Sequence, residues 1–156
     1  MIKRVYVDTS VVGGQFDQEF SADTKPFFAT VMAGKFMVIL SNLLEAELVR
    51  APPQVRDFLS TLPARQIERI RLTQDAADLA DQYIAAKVVG PTSRADCQHI
   101  AMATLAKADV LVSWNFKHIV NLDRIRGYNG LNYQLGHHML EIRTPKEIIS
   151  YENPEI

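Results

Sequence analysis

The sequence predicts an α/β sandwich built on a mostly parallel sheet with right-handed crossovers. Two observations carry that expectation. Short, almost purely apolar runs rich in β-formers recur at residues 5–7, 36–40 and 110–112, as in strands buried on both faces of a parallel sheet. Between them lie stretches with apolar residues at helical spacing, closed by glycine or proline.

The totals narrow the function classes. The chain has 156 residues, 47% of them hydrophobic. That is enough for one well-buried core, and with no repeat or linker visible a single domain is expected over residues 1–156. Seventeen Lys and Arg against eighteen Asp and Glu leave a net charge of −1. No global field then draws in nucleic acid or an anionic membrane, and any nucleic-acid binding must be local. The single Cys97 excludes an internal disulfide and a cysteine-based zinc cluster, and it fits a reducing compartment. No signal-peptide pattern opens the chain and no apolar stretch approaches the roughly 18 residues of a membrane span. A cytoplasmic location is expected.

Taken in order, the first apolar run stops at Asp8, at the carboxyl edge of its strand, where ligands bind in open α/β sheets. Alone, Asp8 reads equally well as a cap or turn residue. Thr9 and Ser10 can cap a helix start, and Gly13-Gly14 loosens the chain beyond them. Pro26 suits a first helical turn, which predicts a helix over 25–33 closed by Gly34. The second strand is F-M-V-I-L, residues 36–40.

The next helix, over 43–50, carries two glutamates. With Asn42 as N-cap, Glu45 falls at the third helical position and is expected to close a capping box. Glu47 lies about 200° further round the helix at 3.6 residues per turn, so the two acids cannot aim at one site. Glu47 is the functional candidate, its alternative being a solvated surface acid. Pro52-Pro53 closes this helix.

A short helix containing Phe58, Leu59 and Leu62 comes next, and residues 67–72 alternate partly, as a brief strand does. From Thr73, the residues Ala76, Ala80, Tyr83 and Ile84 recur at helical spacing until Gly90-Pro91, with Asp75 and Asp78 early and Lys87 late. Ser93 or Thr92 then caps a helix with the buried stripe Cys97, Ile100, Ala101, Thr104, Leu105 and Ala108. Asp96 is in its first turn, where the helix dipole alone favours an acid, and His99 and Ala103 continue its side. After the strand at 110–112 comes S-W-N-F-K-H, residues 113–118. Asn115 there lies just past the strand's carboxyl end, as a site residue or as a turn residue. Residues 122–136 have weak periodicity and read as a long loop, 139–142 as a last strand, and Thr144-Pro145 with Glu147 opens a C-terminal helix. In a parallel sheet, Asp8, the helix of Glu47, the helix of Asp96 and Asn115 could converge at one edge.

The joint order of V-D-T-S, S-N-L-L-E-A-E-L-V-R, A-D-C-Q-H-I-A-M-A and V-S-W-N-F-K-H-I resembles the PIN-domain family. It is most similar to the toxin ribonucleases of bacterial toxin–antitoxin modules, the VapC-like group, over residues 2–150. The resemblance implies a three-layer α/β/α sandwich and an endoribonuclease dependent on Mg²⁺ or Mn²⁺. It also implies RNA as substrate, a cognate antitoxin as partner and a homodimer. By the family pattern, Asp8, Glu47 and Asp96 would be the core carboxylates and metal ligands, and Asn115 would take the fourth, more variable acidic position. Glu47 would serve as ligand or as orienter of bound water, and Thr9 or Ser10 would lend a supporting hydroxyl.

The residue types suit that chemistry. Hard divalent cations prefer oxygen ligands, clustered carboxylates repel one another without a cation, and a metal there can serve phosphodiester hydrolysis. Asn115 departs from an acid: its amide brings no charge, so a second metal would bind more weakly. Asp109 lies at the wrong end of its strand, while Asp123 could compensate. Arg94, Lys117 and His118 are candidates for phosphate contacts, and Trp114 for either base stacking or the core. A degenerate PIN module that binds RNA or protein without cleavage is the alternative favoured by Asn115. A phosphoryl-transfer enzyme of the haloacid-dehalogenase type would need a second Asp where Ser10 stands, and Gly13-Gly14 is not a dinucleotide-binding G-x-G-x-x-G loop.

Overall fold

The computed structural model describes residues 2–152; Met1 and residues 153–156, which belong to the single domain expected over 1–156, lie outside the described residues. Five strands, β1 (Lys3–Val7), β2 (Phe36–Ser41), β3 (Ile67–Ile70), β4 (Val110–Val112) and β5 (Ile142–Arg143), form one sheet. Its order is β3-β2-β1-β4-β5, and every pairing is parallel. Eight α-helices occur among the described residues: α1 (Thr9–Gly14), α2 (Ser21–Met32), α3 (Asn42–Leu48), α4 (Pro53–Phe58), α5 (Gln74–Ala85), α6 (Arg94–Leu105), α7 (Leu122–Gln134) and α8 (Pro145–Glu152).

Strand alternation produces the layers. In register, Tyr6 lies beside Ile39 on one side and Leu111 on the other, while Val5 lies beside Val38 and Val110. Successive residues face opposite sides of a sheet. Accordingly Tyr6, Ile39 and Leu111 join the core under α5, α6 and α7. Val5, Val7, Val38, Leu40, Val110 and Val112 join the core under α1 to α4 and α8. The result is the three-layer α/β/α sandwich with an all-parallel sheet. The chain winds outward from β1 to β3, then returns to lay β4 on the other side of β1. This reversal makes the crevice beyond the carboxyl ends of β1 and β4 the switch point of the fold.

Several boundaries differ from expectation. Of the expected loop 122–136, Leu122–Gln134 is the helix α7, capped by the Asn121 side chain, which accepts from the Arg124 amide. Two tertiary contacts explain it: a Cβ on Gly127 would come within 2.7 Å of Val88, and the buried Asn132 accepts from the Tyr83 hydroxyl at 2.6 Å. Helix α2 begins at Ser21, four residues early, because Asp17 Oδ1 accepts from the amides of Glu19 and Phe20 just ahead of it. Pro26 thus lies inside the helix. It is tolerated because Ala22, whose carbonyl it leaves without a helical donor, is exposed and open to water.

The last strand is 142–143 rather than 139–142, and α5 ends at Ala85 rather than running to Gly90. Lys87 turns the chain there at a φ of 61°. The Thr144–Glu147 start of α8 forms as a reciprocal cap: Glu147 Oε1 accepts from the Thr144 amide at 3.1 Å, and the Glu147 amide donates to Thr144 Oγ1 at 3.2 Å. Among the described residues, no helix is long and apolar enough to cross a membrane.

Candidate functional site

Asp8 directly follows β1 at the switch point, before α1, and is almost fully buried. Its Oδ2 accepts from Ser10 Oγ at 2.7 Å and from Ser113 Oγ, just past β4, at 2.8 Å. Those hydroxyls are themselves fixed: Ser10 Oγ accepts from the Trp114 amide and Ser113 Oγ from the Asn115 amide, both at 2.9 Å. One oxygen of Asp8 is therefore anchored across the β1–β4 crevice, and the other, Oδ1, faces His99 Nε2 at 3.8 Å.

Helix α3 brings Glu47. Ser41 rather than Asn42 is its N-cap, accepting from the Leu44 amide at 3.0 Å, while Asn42 Oδ1 accepts from the Leu72 amide. The expected capping box between Asn42 and Glu45 is thus absent, because the helix starts one residue earlier and Glu45 pairs with Arg69 on the surface instead. Glu47 turns the other way. Its Oε1 accepts from Thr9 Oγ1 at 2.8 Å and meets His99 Nε2 at 2.5 Å.

Helix α6 brings Asp96 and, one turn on, His99. The helix is buried nearly all round, from Cys97 through Thr104 apart from Gln98, and this places His99 in the interior with only 1% of its side chain exposed. Its Nδ1 meets the Tyr6 hydroxyl at 2.6 Å, and Tyr6 reaches Ser41 Oγ at 3.1 Å. A buried chain therefore links the cap of α3, a core strand, α6 and Glu47.

The charges within this cluster respond to one another. Burial works to discharge His99, but the Glu47 hydrogen bond and the charges of Asp8, Glu47 and Asp96 outweigh it and raise its proton affinity. Burial also opposes ionisation of Glu47, yet its bonds to His99 and Thr9 hold its carboxyl below the usual range. The Asp96 carboxyl is pushed up, by burial first and then by the Asp8 charge. Burial raises the Tyr6 hydroxyl well above its ordinary value, so it stays a neutral hydrogen-bonding group.

The remaining candidates are placed differently. Asn115 lies on the rim, and its Oδ1 accepts from the amides of Lys117 and His118 at 3.2 and 3.0 Å, which is the work of a turn-forming residue. Arg94 pairs with Asp81 on α5. His118 acts electrostatically on Asp96, while its own buried Nδ1 meets no hydrogen-bond partner. Asp109 accepts from the Arg4 amide at the amino end of the sheet, and Asp123 is exposed in the first turn of α7. Trp114 is core: its Nε1 donates to Thr24 Oγ1 at 2.9 Å.

Among the described residues, no group of three or more His, Cys, Asp or Glu side chains is arranged to hold one metal ion. Mg²⁺ needs no such cage, as it commonly binds through one or two carboxylates and keeps its waters. Asp8 Oδ1 and the Asp96 carboxyl are hard oxygen donors, and both burial, the larger cause, and the Asp8 charge oppose ionisation of Asp96. In donor type alone, these two carboxylates suit the metal implied by the resemblance.

His99, Tyr6 and Ser113 went unassigned from sequence. The signal for His99 was its place three residues after Asp96 on a helix, which puts both on one side. No protein-family model matches the chain, and no curated protein matches its sequence.

Proposed function

We propose that this chain is a Mg²⁺- or Mn²⁺-dependent endoribonuclease of the PIN type, hydrolysing RNA phosphodiester bonds as the toxin of a toxin–antitoxin pair. In that role it would be held in check by a cognate antitoxin and act as a homodimer. One observation supports the reading above others: Asp8 and Glu47, from two distant segments, face one buried imidazole at the switch point of the sheet, and Asp96 from a third segment acts on it electrostatically. Perturbed carboxylates clustered in a cleft mark a functional site; His99 balances part of their charge, and a divalent cation would balance the rest.

Asp8 and Asp96 would hold the ion, with Glu47 as third ligand or as the group that orients water. A cation there supplies water activation and neutralises charge developing on the phosphodiester. The chain's own residues do the positioning. Ser10 and Ser113 fix Oδ2 of Asp8 and leave Oδ1 as the donor. Thr9 and His99 fix Oε1 of Glu47, and Tyr6 fixes His99.

The degenerate module that binds RNA or a protein without cutting has one observation in its favour. Asn115, at the fourth acidic position, commits its oxygen to two backbone amides. The deciding experiment incubates purified, antitoxin-free protein with a mixed RNA pool, with Mg²⁺ or Mn²⁺ and with EDTA, alongside Asp96→Asn. Cutting that requires metal and vanishes in the variant is expected. No cutting with either metal, from folded protein, would overturn the nuclease reading in favour of the binding module.

A further inference from the structure

Trp114, the aromatic next to Ser113 and Asn115, is not free to stack on a ligand. It is 9% exposed, its ring stacks on Phe20 at 4.6 Å between centroids, and a Cβ at Gly14 would come within 2.8 Å of it. Its neighbour but one is different. Phe116 is 50% exposed, and its ring lies 6.1 Å from Trp114 and 6.3 Å from Phe20. It forms the solvent-facing member of a three-ring cluster whose other two members are held in the fold.

A single exposed phenylalanine needs no explanation. Three further facts set this one apart. Its backbone is fixed: Asn115 Oδ1 holds the amides of Lys117 and His118, and Asn121 Nδ2 donates to the Phe116 carbonyl at 3.4 Å. Its place is tied to the site: the Asn115 amide donates to Ser113 Oγ, which donates to Asp8 Oδ2. A cation stands next to it, the exposed Lys117. An exposed aromatic ring on a fixed backbone, one residue from a cation and in the segment that leaves β4 at the carboxyl edge of the sheet, suits a nucleotide, with the base on the ring and the phosphate on the ammonium.

We propose that Phe116 is a stacking platform for an unpaired base of the RNA strand entering the carboxylate site, with Lys117 at the adjoining phosphate. A base inside a duplex has both faces covered by its neighbours and cannot stack on a protein ring without leaving the helix. The ribonuclease reading supplies the identity of the strand; the platform itself requires binding alone.

The test measures binding in EDTA, so that cleavage does not enter, using short single-stranded RNA oligonucleotides and the matching duplexes. Trp114, the only tryptophan in the chain, gives an intrinsic fluorescence signal beside the platform. Wild type is expected to favour the single strand. Phe116→Ala should weaken binding about 10-fold, the scale of one lost base–aromatic stack. Phe116→Tyr should retain the affinity, and Phe116→Leu, apolar but not flat, should bind as weakly as alanine. The melting temperature of each variant establishes that it is folded.

Leucine binding as well as phenylalanine would overturn the platform and make Phe116 an apolar anchor, as a protein partner would use it. Equal affinity for duplex, or no binding of the single strand, would also overturn it. The outcome is separable from that of the nuclease reading. Stacking-dependent binding without metal-dependent cutting sinks the nuclease alone. Metal-dependent cutting with an unchanged KM in Phe116→Leu sinks the platform alone.

Discussion

Replacing His99 with leucine isolates the buried imidazole from the acids around it. The side chain keeps roughly its volume but loses its bonds to Glu47 at 2.5 Å and to the Tyr6 hydroxyl at 2.6 Å. A charge-assisted hydrogen bond contributes about 1.5–3 kcal/mol and a neutral one about 0.5–1.5. Three features of the site place the sum toward the lower end. Glu47 is 35% exposed, it keeps its Thr9 partner, and Tyr6 keeps Ser41. The expected loss is about 2–3 kcal/mol, or roughly 4–12 °C in melting temperature for a domain of this size.

The loss also depends on pH. The raised proton affinity of His99 makes its contribution fully present below its ordinary value of 6.5, and lost as pH rises through the raised folded value. Glu47, lowered on folding, contributes above its ordinary value of 4.5, and that part is lost as pH falls through the lowered folded value. The gap between wild type and variant should therefore be widest between pH 4.5 and 6.5 and narrow on both sides. Thermal denaturation of both proteins across pH 4–9, without metal, measures it. A gap that is small at every pH, or that widens steadily toward alkaline pH, would refute the account of His99 as the charge partner of the acids.

The other variants test the acids one at a time. Asp96→Asn should lower metal-dependent cleavage by more than about 100-fold, the scale of losing a preorganised charge-stabilising group. It should also raise the melting temperature of the metal-free protein at neutral pH, because burial and the Asp8 charge oppose ionisation of Asp96; calorimetry with and without Mg²⁺ checks the second point. Glu45→Gln removes only a surface ion pair with Arg69 and should change stability by less than about 1 kcal/mol, with cleavage intact. Glu47→Gln should lose activity, and the reverse pattern in the cleavage assay would sink the distinction between them. Asn115→Asp keeps an oxygen for the amides of Lys117 and His118 and adds charge at the rim. Cleavage should be preserved or increased, whereas complete loss would assign the amide a specific role.

How much of this was legible in the sequence depends on how far each signal reaches along the chain. The strands at 5–7, 36–40 and 110–112 were plain because burial on both faces demands an unbroken apolar run. The start of α8 was plain because Thr144 and Glu147 form a local cap. Helix α7 was not, since Gly127, Gly130, Asn129 and Asn132 weaken its period. Its reasons lie elsewhere in the chain, in the close approach to Val88 and in the Tyr83 hydroxyl. The first turn of α3 starts one residue before the expected one, at a point where Ser41 and Asn42 are both good caps. Asn42 is drawn off by the Leu72 amide of another segment.

The candidate site divides in the same way. Sequence by itself nominated the acids: Asp8 by its place at the end of an apolar run, Glu47 by its angle from Glu45, and Asp96 through the resemblance to the PIN-domain family, since a first helical turn favours an acid on its own. The first two are properties of period and position, which a linear chain carries in full. Only the tertiary structure decided what surrounds them. It set His99 between Glu47 and Asp8, Tyr6 behind His99, Ser113 across from Asp8, and Phe116 rather than Trp114 at the rim. Each of these is a contact between residues far apart in the chain, fixed by the order in which parallel strands lie side by side, and no local pattern of residues encodes that order.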